Sequence, residues 1–145
     1  MIATQLKAVF YLLPDDLIKT RDLFLCRLIE KAFTSGRKIY VNAATLEEAQ
    51  TIDTQLWTFR DVSFVPHAIY NTDLDSSAPV LIGNNAMLSS DFDVLINLAP
   101  EIPEFYSKFQ HIIELIISDD MQKKIGREHY KFYQQNNYQL ETHTV

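Results

Sequence analysis

Apolar runs and helical stripes alternate along the first half of the chain. Residues 6–13 (LKAVFYLL) are apolar at nearly every position, which predicts a strand that is covered on both faces and lies centrally in its sheet. From about Thr20 to Ser35, apolar residues recur at intervals of three and four, which predicts a helix. Gly36 can adopt the left-handed conformation that commonly ends a helix. A strand followed by a helix therefore opens the chain.

The same order of elements then repeats. Residues 37–44 (RKIYVNAA) predict a second strand, and Thr45 with Glu48 has the spacing of a capping box that opens a helix reaching Trp57. Two strands joined by a helix of this length normally lie parallel, with a right-handed crossover between them. The first half of the chain is therefore predicted to be α/β.

The pattern is weaker from Asp61 to Ser90. Exposed loops are predicted at residues 71–78 and 84–91, with a short strand at 79–83 between them. Residues 93–100 (DVLINLAP) predict another buried strand, which ends at its proline.

The last third is predicted to hold two helices and a strand. An apolar stripe with helical spacing predicts the first helix; its members are Phe105, Phe109, Ile112, Ile113 and Ile116. Asp119 or Asp120 can cap the second helix. Asn136 and Asn137 tolerate a left-handed turn, which allows the chain to reverse into a short strand with the sequence YQLETH.

Composition fits one globular domain over residues 1–145. Hydrophobic residues make up 47% of the chain and charged residues 22%, and a chain of this length can bury a sufficient core without metals or disulfides. The predicted fold is α/β, with a central, largely parallel or mixed sheet and helices packed on both faces. It is Rossmann-like without a nucleotide-binding loop. Because no signal-peptide pattern or long apolar segment is found, the expected location is the cytoplasm, with no membrane partner.

Positive charge is concentrated in one short segment. Lys123, Lys124, Arg127 and Lys131 lie within nine positions, whereas the rest of the chain has nine basic and 18 acidic residues. A net charge of −6 argues against a nucleic-acid-binding surface across the whole molecule, because such binding needs many phosphate contacts. A small cationic patch is instead suited to a short anionic peptide or a single carboxylate. We therefore expect a protein-binding module.

Catalytic and cofactor-binding patterns are lacking. Only three glycines occur, too far apart for a phosphate-cradling loop, and the four histidines show no metal-binding spacing. Cys26 lies in an apolar run, where it is predicted to be inert core filler. Neither a cofactor nor a metal is expected. Two alternatives remain open: an α/β enzyme of nucleotide or phosphate chemistry, suggested by the opening elements, and a direct single-stranded DNA-binding protein.

Several segments together resemble the chi subunit of bacterial DNA polymerase III. They are FYLL at 10–13, LW at 56–57, SFVPH at 63–67, the strand DVLINL and the run REHYKFY at 127–133. The resemblance covers nearly the whole chain in consistent order. It implies an α/β fold and a non-catalytic adaptor that couples the clamp-loader complex, through the psi subunit, to the acidic C-terminal tail of single-stranded DNA-binding protein. Nucleic acid would then be contacted only indirectly.

The resemblance also implies two sets of site residues. Arg127, Tyr130 and Lys131 match the positions that hold the tail, with Lys124 on the same helix face and Ile116, at the end of the preceding predicted helix, near the pocket. Phe64 matches a family position at the interface with the psi subunit, and the apolar residues Val65, Pro66 and Trp57 are assigned to the same surface. A place in the core is the alternative for Phe64. For Trp57, the tail pocket and the core are alternative positions.

Two residues depart from the common pattern of this family. Gly126 stands inside a predicted helix at a cost of about 1 kcal/mol, and His129 takes a position that is often arginine. From these differences we expect a looser and slightly less basic patch.

Overall fold

The strands form a fully parallel sheet in the part of the chain that the structure describes. The structure, a computed structural model, describes residues 5–59, 65–70, 78–85 and 92–145. Its strands are β1 (Lys7–Leu12), β2 (Ile39–Asn42), β3 (His67–Ile69), β4 (Val80–Gly83), β5 (Val94–Asn97), β6 (His111–Ile116) and β7 (Gln139–Thr144). They lie in the order β3-β4-β2-β5-β6-β1-β7, and all pairs are parallel. The predicted α/β class is confirmed.

Helices cover both faces of this sheet. They are α1 (Ile18–Thr34), α2 (Leu46–Thr58) and α3 (Asp120–Gln135), with a short 3₁₀ helix at Glu104–Lys108. One core cluster joins α1 and α2 to one face, and a second joins α3 and the 3₁₀ helix to the other. Among the described helices, none has the length and apolar character to cross a bilayer.

Local sequence signals fix several element ends as predicted. The backbone N–H of Glu48 donates to Thr45 Oγ1 at 3.0 Å, while Glu48 Oε1 accepts from the backbone of Ala44 at 2.8 Å, so the helix start is capped reciprocally. Gly36 has a φ of +81° after α1, and Asn137 has a φ of 68° after α3. These turns use the left-handed conformation that the sequence predicts.

The helix predicted from Phe105 to Ile116 is wrong. The structure has only the short 3₁₀ helix there, followed by strand β6, which pairs with β1 on one side and β5 on the other. Ile112 and Ile116 pack against one core, while Ile113 and Leu115 pack against the other. A strand buried on both faces is apolar at almost every position, so its residues also fit a helical spacing.

Strand β1 is interior but not central. It lies between β6 and β7, one strand from the edge of the sheet. Both of its faces are nonetheless covered, because Val9 belongs to one core cluster and Phe10 to the other. The apolar run therefore predicts burial correctly, whereas the position in the strand order follows from the later elements.

The segment from Asp61 to Ser90 is described only in part. Strand β4 confirms the short strand predicted at 79–83, and β3 is a three-residue strand that begins directly after Pro66. The predicted loops at 71–78 and 84–91 lie almost entirely outside the described residues.

Candidate functional site

Helix α3 carries the cationic segment. Asp119 caps it by accepting a hydrogen bond from the backbone N–H of Gln122 at 3.1 Å, as predicted from the sequence. The helix buries Gly126, His129 and Tyr133 against the sheet. Its exposed positions include all four basic residues of the segment: Lys123, Lys124, Arg127 and Lys131. The positive charge therefore faces solvent.

A pocket of about 290 Å³ lies between α3 and the carboxyl ends of β1 and β6; we call it the α3 pocket. Its apolar lining includes Phe10, Leu13, Ile116 and Ile117. Basic and aromatic side chains of α3 also line it, from Lys123, Arg127 and Tyr130. An apolar cavity bordered by two cations can hold a hydrophobic side chain that carries a nearby negative charge.

Three of the five residues predicted for tail binding line this pocket: Ile116, Arg127 and Tyr130. Ile116 reaches it from the end of strand β6 rather than from a helix. The other two predicted residues, Lys124 and Lys131, are exposed on α3 but are not among the described lining residues. Lys123, which the sequence analysis did not assign, does line the pocket.

Tyr130 forms an aromatic wall of the α3 pocket. Its ring centroid lies 5.5 Å from that of Phe10, and the residue remains 36% exposed. One side of the ring therefore packs on the sheet while the rest is available to a ligand.

No ion pair among the described residues holds the Arg127 guanidinium. Within the described part of the chain, no carboxylate lies within salt-bridge distance of it, and the residue is exposed. Its planar fork of N–H groups can therefore donate two parallel hydrogen bonds to a carboxylate.

Gly126 tightens the site rather than loosening it, contrary to the expectation from the sequence. A Cβ atom at this position would come within 2.9 Å of Ile116 Cδ1 and 3.3 Å of Ile116 Cγ1. The absence of a side chain therefore lets α3 approach β6 closely. The glycine also leaves open space in the α3 pocket, which it lines.

His129 does not dilute the charge of the patch, because it is a buried residue on the inner side of α3. Its Nδ1 lies 2.9 Å from Glu114 Oε1, and its Nε2 lies 2.9 Å from the carbonyl oxygen of Pro100. Since both partners are acceptors, both ring nitrogens donate and the imidazole is protonated. Burial alone would lower the pKa of His129, but the hydrogen bond and charge of Glu114 raise it above the usual value.

Glu114 is the centre of a buried polar network that the sequence analysis missed. Besides His129, it accepts hydrogen bonds from Tyr133 Oη at 2.8 Å and from Asn97 Nδ2 at 3.1 Å. Asn97 Oδ1 in turn accepts from Asn42 Nδ2 at 3.0 Å. A lone glutamate within the apolar run HIIELI was the available signal, because a buried carboxylate needs partners. Hydrogen bonds from His129 and Tyr133 to Glu114 hold α3 against the sheet and thereby fix the position of its cationic face.

The predicted apolar surface is only partly described. Trp57 is 52% exposed at the end of α2, and its ring centroid lies 4.4 Å from that of His67. Pro66 is half-buried, whereas Val65 is 1% exposed and belongs to the core. The Val65 side chain is therefore not available for a surface contact in this conformation. Phe64 lies outside the described residues.

Cys26 lies in the core, as predicted, and burial with the nearby charge of Asp22 raises the pKa of its thiol to about 12. A thiol in such surroundings stays protonated at neutral pH. Among the described residues, no group of three or more His, Cys, Asp or Glu side chains could hold a metal ion.

Similar structures agree on the fold. T4 UvsW matches with a TM-score of 0.65 and 9% identity over 97% of this chain, which corresponds to 41% of that protein. The C-terminal domain of Dbp5 from S. cerevisiae matches with a TM-score of 0.63 and 16% identity, covering 96% of this chain and 90% of that domain. At such low identity, these likenesses concern the fold alone.

Sequence relatives identify the family. The chain is 32% identical to DNA polymerase III subunit chi of Pseudomonas aeruginosa over 94% of both chains. It is 31% identical to the corresponding Haemophilus influenzae subunit, over 95% of this chain and 96% of the relative. The Escherichia coli subunit is 28% identical, over 94% and 97% respectively. Residues 6–141 match the sequence model of the DNA polymerase III chi subunit, HolC. The chain therefore belongs to the family of DNA polymerase III chi subunits, which are non-catalytic subunits of the replication machinery.

Proposed function

We propose that the protein is an adaptor of the clamp-loader complex with two separate binding surfaces. The α3 pocket binds the acidic C-terminal tail of single-stranded DNA-binding protein. An apolar surface near Trp57 and Phe64 binds the psi subunit. Through these two surfaces the protein links the polymerase assembly to coated single-stranded DNA, and the α3 pocket contacts the coating protein rather than the DNA.

The observation that carries this proposal is the composition of the α3 pocket. Its apolar interior can take the last side chain of a peptide, while Arg127 at its border can form two parallel hydrogen bonds with the terminal carboxylate. Lys123 at the border, with Lys124 and Lys131 farther along the helix surface, attracts the other acidic residues of the tail. Isolated exposed ion pairs contribute only about 0.2–1 kcal/mol each. The buried side chain and the carboxylate contact must therefore supply most of the affinity.

We expect Arg127→Ala to weaken binding of an acidic peptide with a free C-terminal carboxylate by about tenfold, because a charged hydrogen-bond pair is lost. The measurement is isothermal titration calorimetry. For the unchanged chain we expect a micromolar Kd, or about −8 kcal/mol, that weakens as salt rises. Arg27→Ala is the matched control, because Arg27 is an exposed arginine on α1.

A peptide with an amidated C-terminus tests the carboxylate directly. It should bind the unchanged chain weakly. Arg127→Ala should reduce its affinity little further, because amidation has already removed the carboxylate that Arg127 would contact. Equal loss in Arg27→Ala and Arg127→Ala would mean that the effect is general charge attraction, and the tail site would be rejected.

For the psi subunit, we expect the reverse dependence. Phe64→Ala and Trp57→Ala should each reduce co-purification of psi while leaving the tail peptide affinity unchanged, because aromatic anchors dominate many interfaces. Leu46→Ala is the control on the same helix. Leu46 is a large apolar residue with an exposed fraction of 55%, similar to the 52% of Trp57. Loss of both ligands in Phe64→Ala would argue against two independent surfaces.

A further inference from the structure

A second cavity, of about 710 Å³, opens at the amino ends of the strands, at the opposite edge of the sheet from the α3 pocket. Lys7 and His111 are paired in register at the starts of β1 and β6. Arg37 precedes β2, and Lys108 precedes β6. Because β2, β5, β6 and β1 are consecutive neighbours, basic residues that are distant in sequence surround one space.

The charge around this amino-edge cavity is predominantly positive. Lys7, Arg37 and Lys108 line it, and Asp93 is the single carboxylate among its described lining residues. The Asp93 side chain already accepts a hydrogen bond from the backbone N–H of Lys38 at 2.8 Å. Glu141, which does not line the cavity, binds the Lys7 ammonium at 2.7 Å. Basic side chains therefore outnumber carboxylates among the described lining residues, in a chain of net charge −6.

Two basic side chains touch inside this cavity. Arg37 Nη1 lies 2.8 Å from His111 Nδ1. Since arginine can only donate, Nδ1 accepts and the proton of the neutral imidazole is on Nε2. Burial, followed by the charges of Arg37 and Lys7, lowers the pKa of His111. Among the described residues, no carboxylate forms a salt bridge with Arg37, so most of its N–H donors remain for a ligand.

We propose that the amino-edge cavity binds a phosphate group, either as a free phosphate or as part of a nucleic-acid backbone. The guanidinium of Arg37, the ammonium of Lys7 and the Nε2–H of His111 are donors on residues that line the cavity from three separate segments of the chain. A phosphate offers several acceptor oxygens and a delocalised negative charge, which match such a set. The inference does not depend on tail binding, because the α3 pocket is at the other edge of the sheet.

The test is an NMR titration that follows the His111 imidazole of the full chain, first with inorganic phosphate and then with an oligothymidylate. We expect saturable shifts of the His111 signals and a rise in its pKa on binding, because a bound anion favours the protonated ring. Arg37→Gln should weaken binding by about tenfold. Lys108→Gln tests the same cavity through a second residue, and Arg27→Gln on α1 should change nothing.

The two probes distinguish the sources of the phosphate. Tighter binding of the oligothymidylate assigns the cavity to nucleic-acid backbone, whereas binding of inorganic phosphate alone assigns it to a small phosphate. Arg127→Ala should leave both titrations unchanged, which separates this site from the α3 pocket. The proposal is overturned if neither probe shifts His111 saturably, or if Arg27→Gln weakens binding as much as Arg37→Gln.

Discussion

Replacing Glu114 with alanine is expected to lower the free energy of unfolding by about 3–5 kcal/mol, because it breaks a buried ion pair. Glu114 is a buried side chain that accepts hydrogen bonds from His129, Tyr133 and Asn97. Alanine would leave the Tyr133 hydroxyl without its acceptor and the protonated His129 without its counter-charge, while Asn97 Nδ2 would keep only its longer contacts, of 3.4 and 3.3 Å, to the carbonyl oxygens of Ala99 and Glu101. Each such group retains its desolvation cost when its partner is removed.

Urea unfolding monitored by circular dichroism measures this loss. Glu101→Ala is the control, because Glu101 is an exposed glutamate near the same network. Glu114→Gln should cost less than Glu114→Ala, since its amide oxygen can still accept from Tyr133 or Asn97. A stability of Glu114→Ala within about 1 kcal/mol of the original chain, the net value of one ordinary hydrogen bond, would contradict this account.

The pH dependence of the free energy of unfolding tests the buried pair of Glu114 and His129. The pKa of His129 is raised in the folded chain, so its protonation stabilises the fold fully below the unfolded-state pKa, near 6.5. This contribution is lost as the pH rises through the higher folded-state pKa. We therefore expect stability to fall over that window above 6.5, and the slope to flatten in His129→Gln.

Gly126→Ala is expected to weaken tail binding about tenfold or more and to destabilise the fold by up to about 2 kcal/mol. Overpacking against Ile116 costs about 1–3 kcal/mol, while alanine regains about 1 kcal/mol of helix propensity. The added methyl group would lie 2.9 Å from Ile116 Cδ1 in the present geometry. Either α3 or the Ile116 side chain must move, and both line the α3 pocket.

A double substitution tests whether the close contact with Ile116 causes the loss of stability in Gly126→Ala. Ile116→Val removes the Cδ1 atom nearest to the new methyl group, at a cost of about 0.5–1.5 kcal/mol by itself. The pair Gly126→Ala with Ile116→Val should therefore be more stable than the sum of the two single changes implies. Additive losses would mean that the close contact does not govern the position of α3. Gln134→Ala, at an exposed position of the same helix, controls for helix propensity.

The stability of the double variant and the peptide affinity of Gly126→Ala test different properties of the molecule. The stability coupling depends only on the contact between Gly126 and Ile116. The loss of peptide affinity depends also on the α3 pocket being the tail site. If the coupling is found but the peptide binds as before, the tail lies elsewhere on the molecule.

Where the chain carries strong local signals, the sequence predicts the structure well. Thr45 and Glu48 cap α2, Gly36 ends α1 and Asp119 begins α3 as expected, because capping chemistry involves only neighbouring residues. Strand β6 was mistaken for a helix, because a strand covered on both faces lacks an alternating pattern. The burial that distinguishes the two comes from β1 and β5, which are distant in sequence.

In the candidate site too, some features could be predicted from the sequence, whereas others depend on residues that are distant in sequence. Arg127 and Tyr130 were identified through the resemblance, and the structure brings them together with Ile116 around one pocket. The inward orientation of His129 and the role of Gly126 were missed, since each depends on a partner in β6. The cluster at the amino ends of the strands was also missed. Its members come from separate segments and meet only through the strand order.

The position of β1 between β6 and β7 has a consequence for folding. The first strand finds both of its neighbours only in the last third of the chain, so its pairing closes long loops and is intrinsically slow. During synthesis, β1 must wait until those distant segments have left the ribosome. Because the α3 pocket is lined from β1, β6, α3 and β7, it is completed at the end of folding. An unfinished chain would therefore lack the α3 pocket.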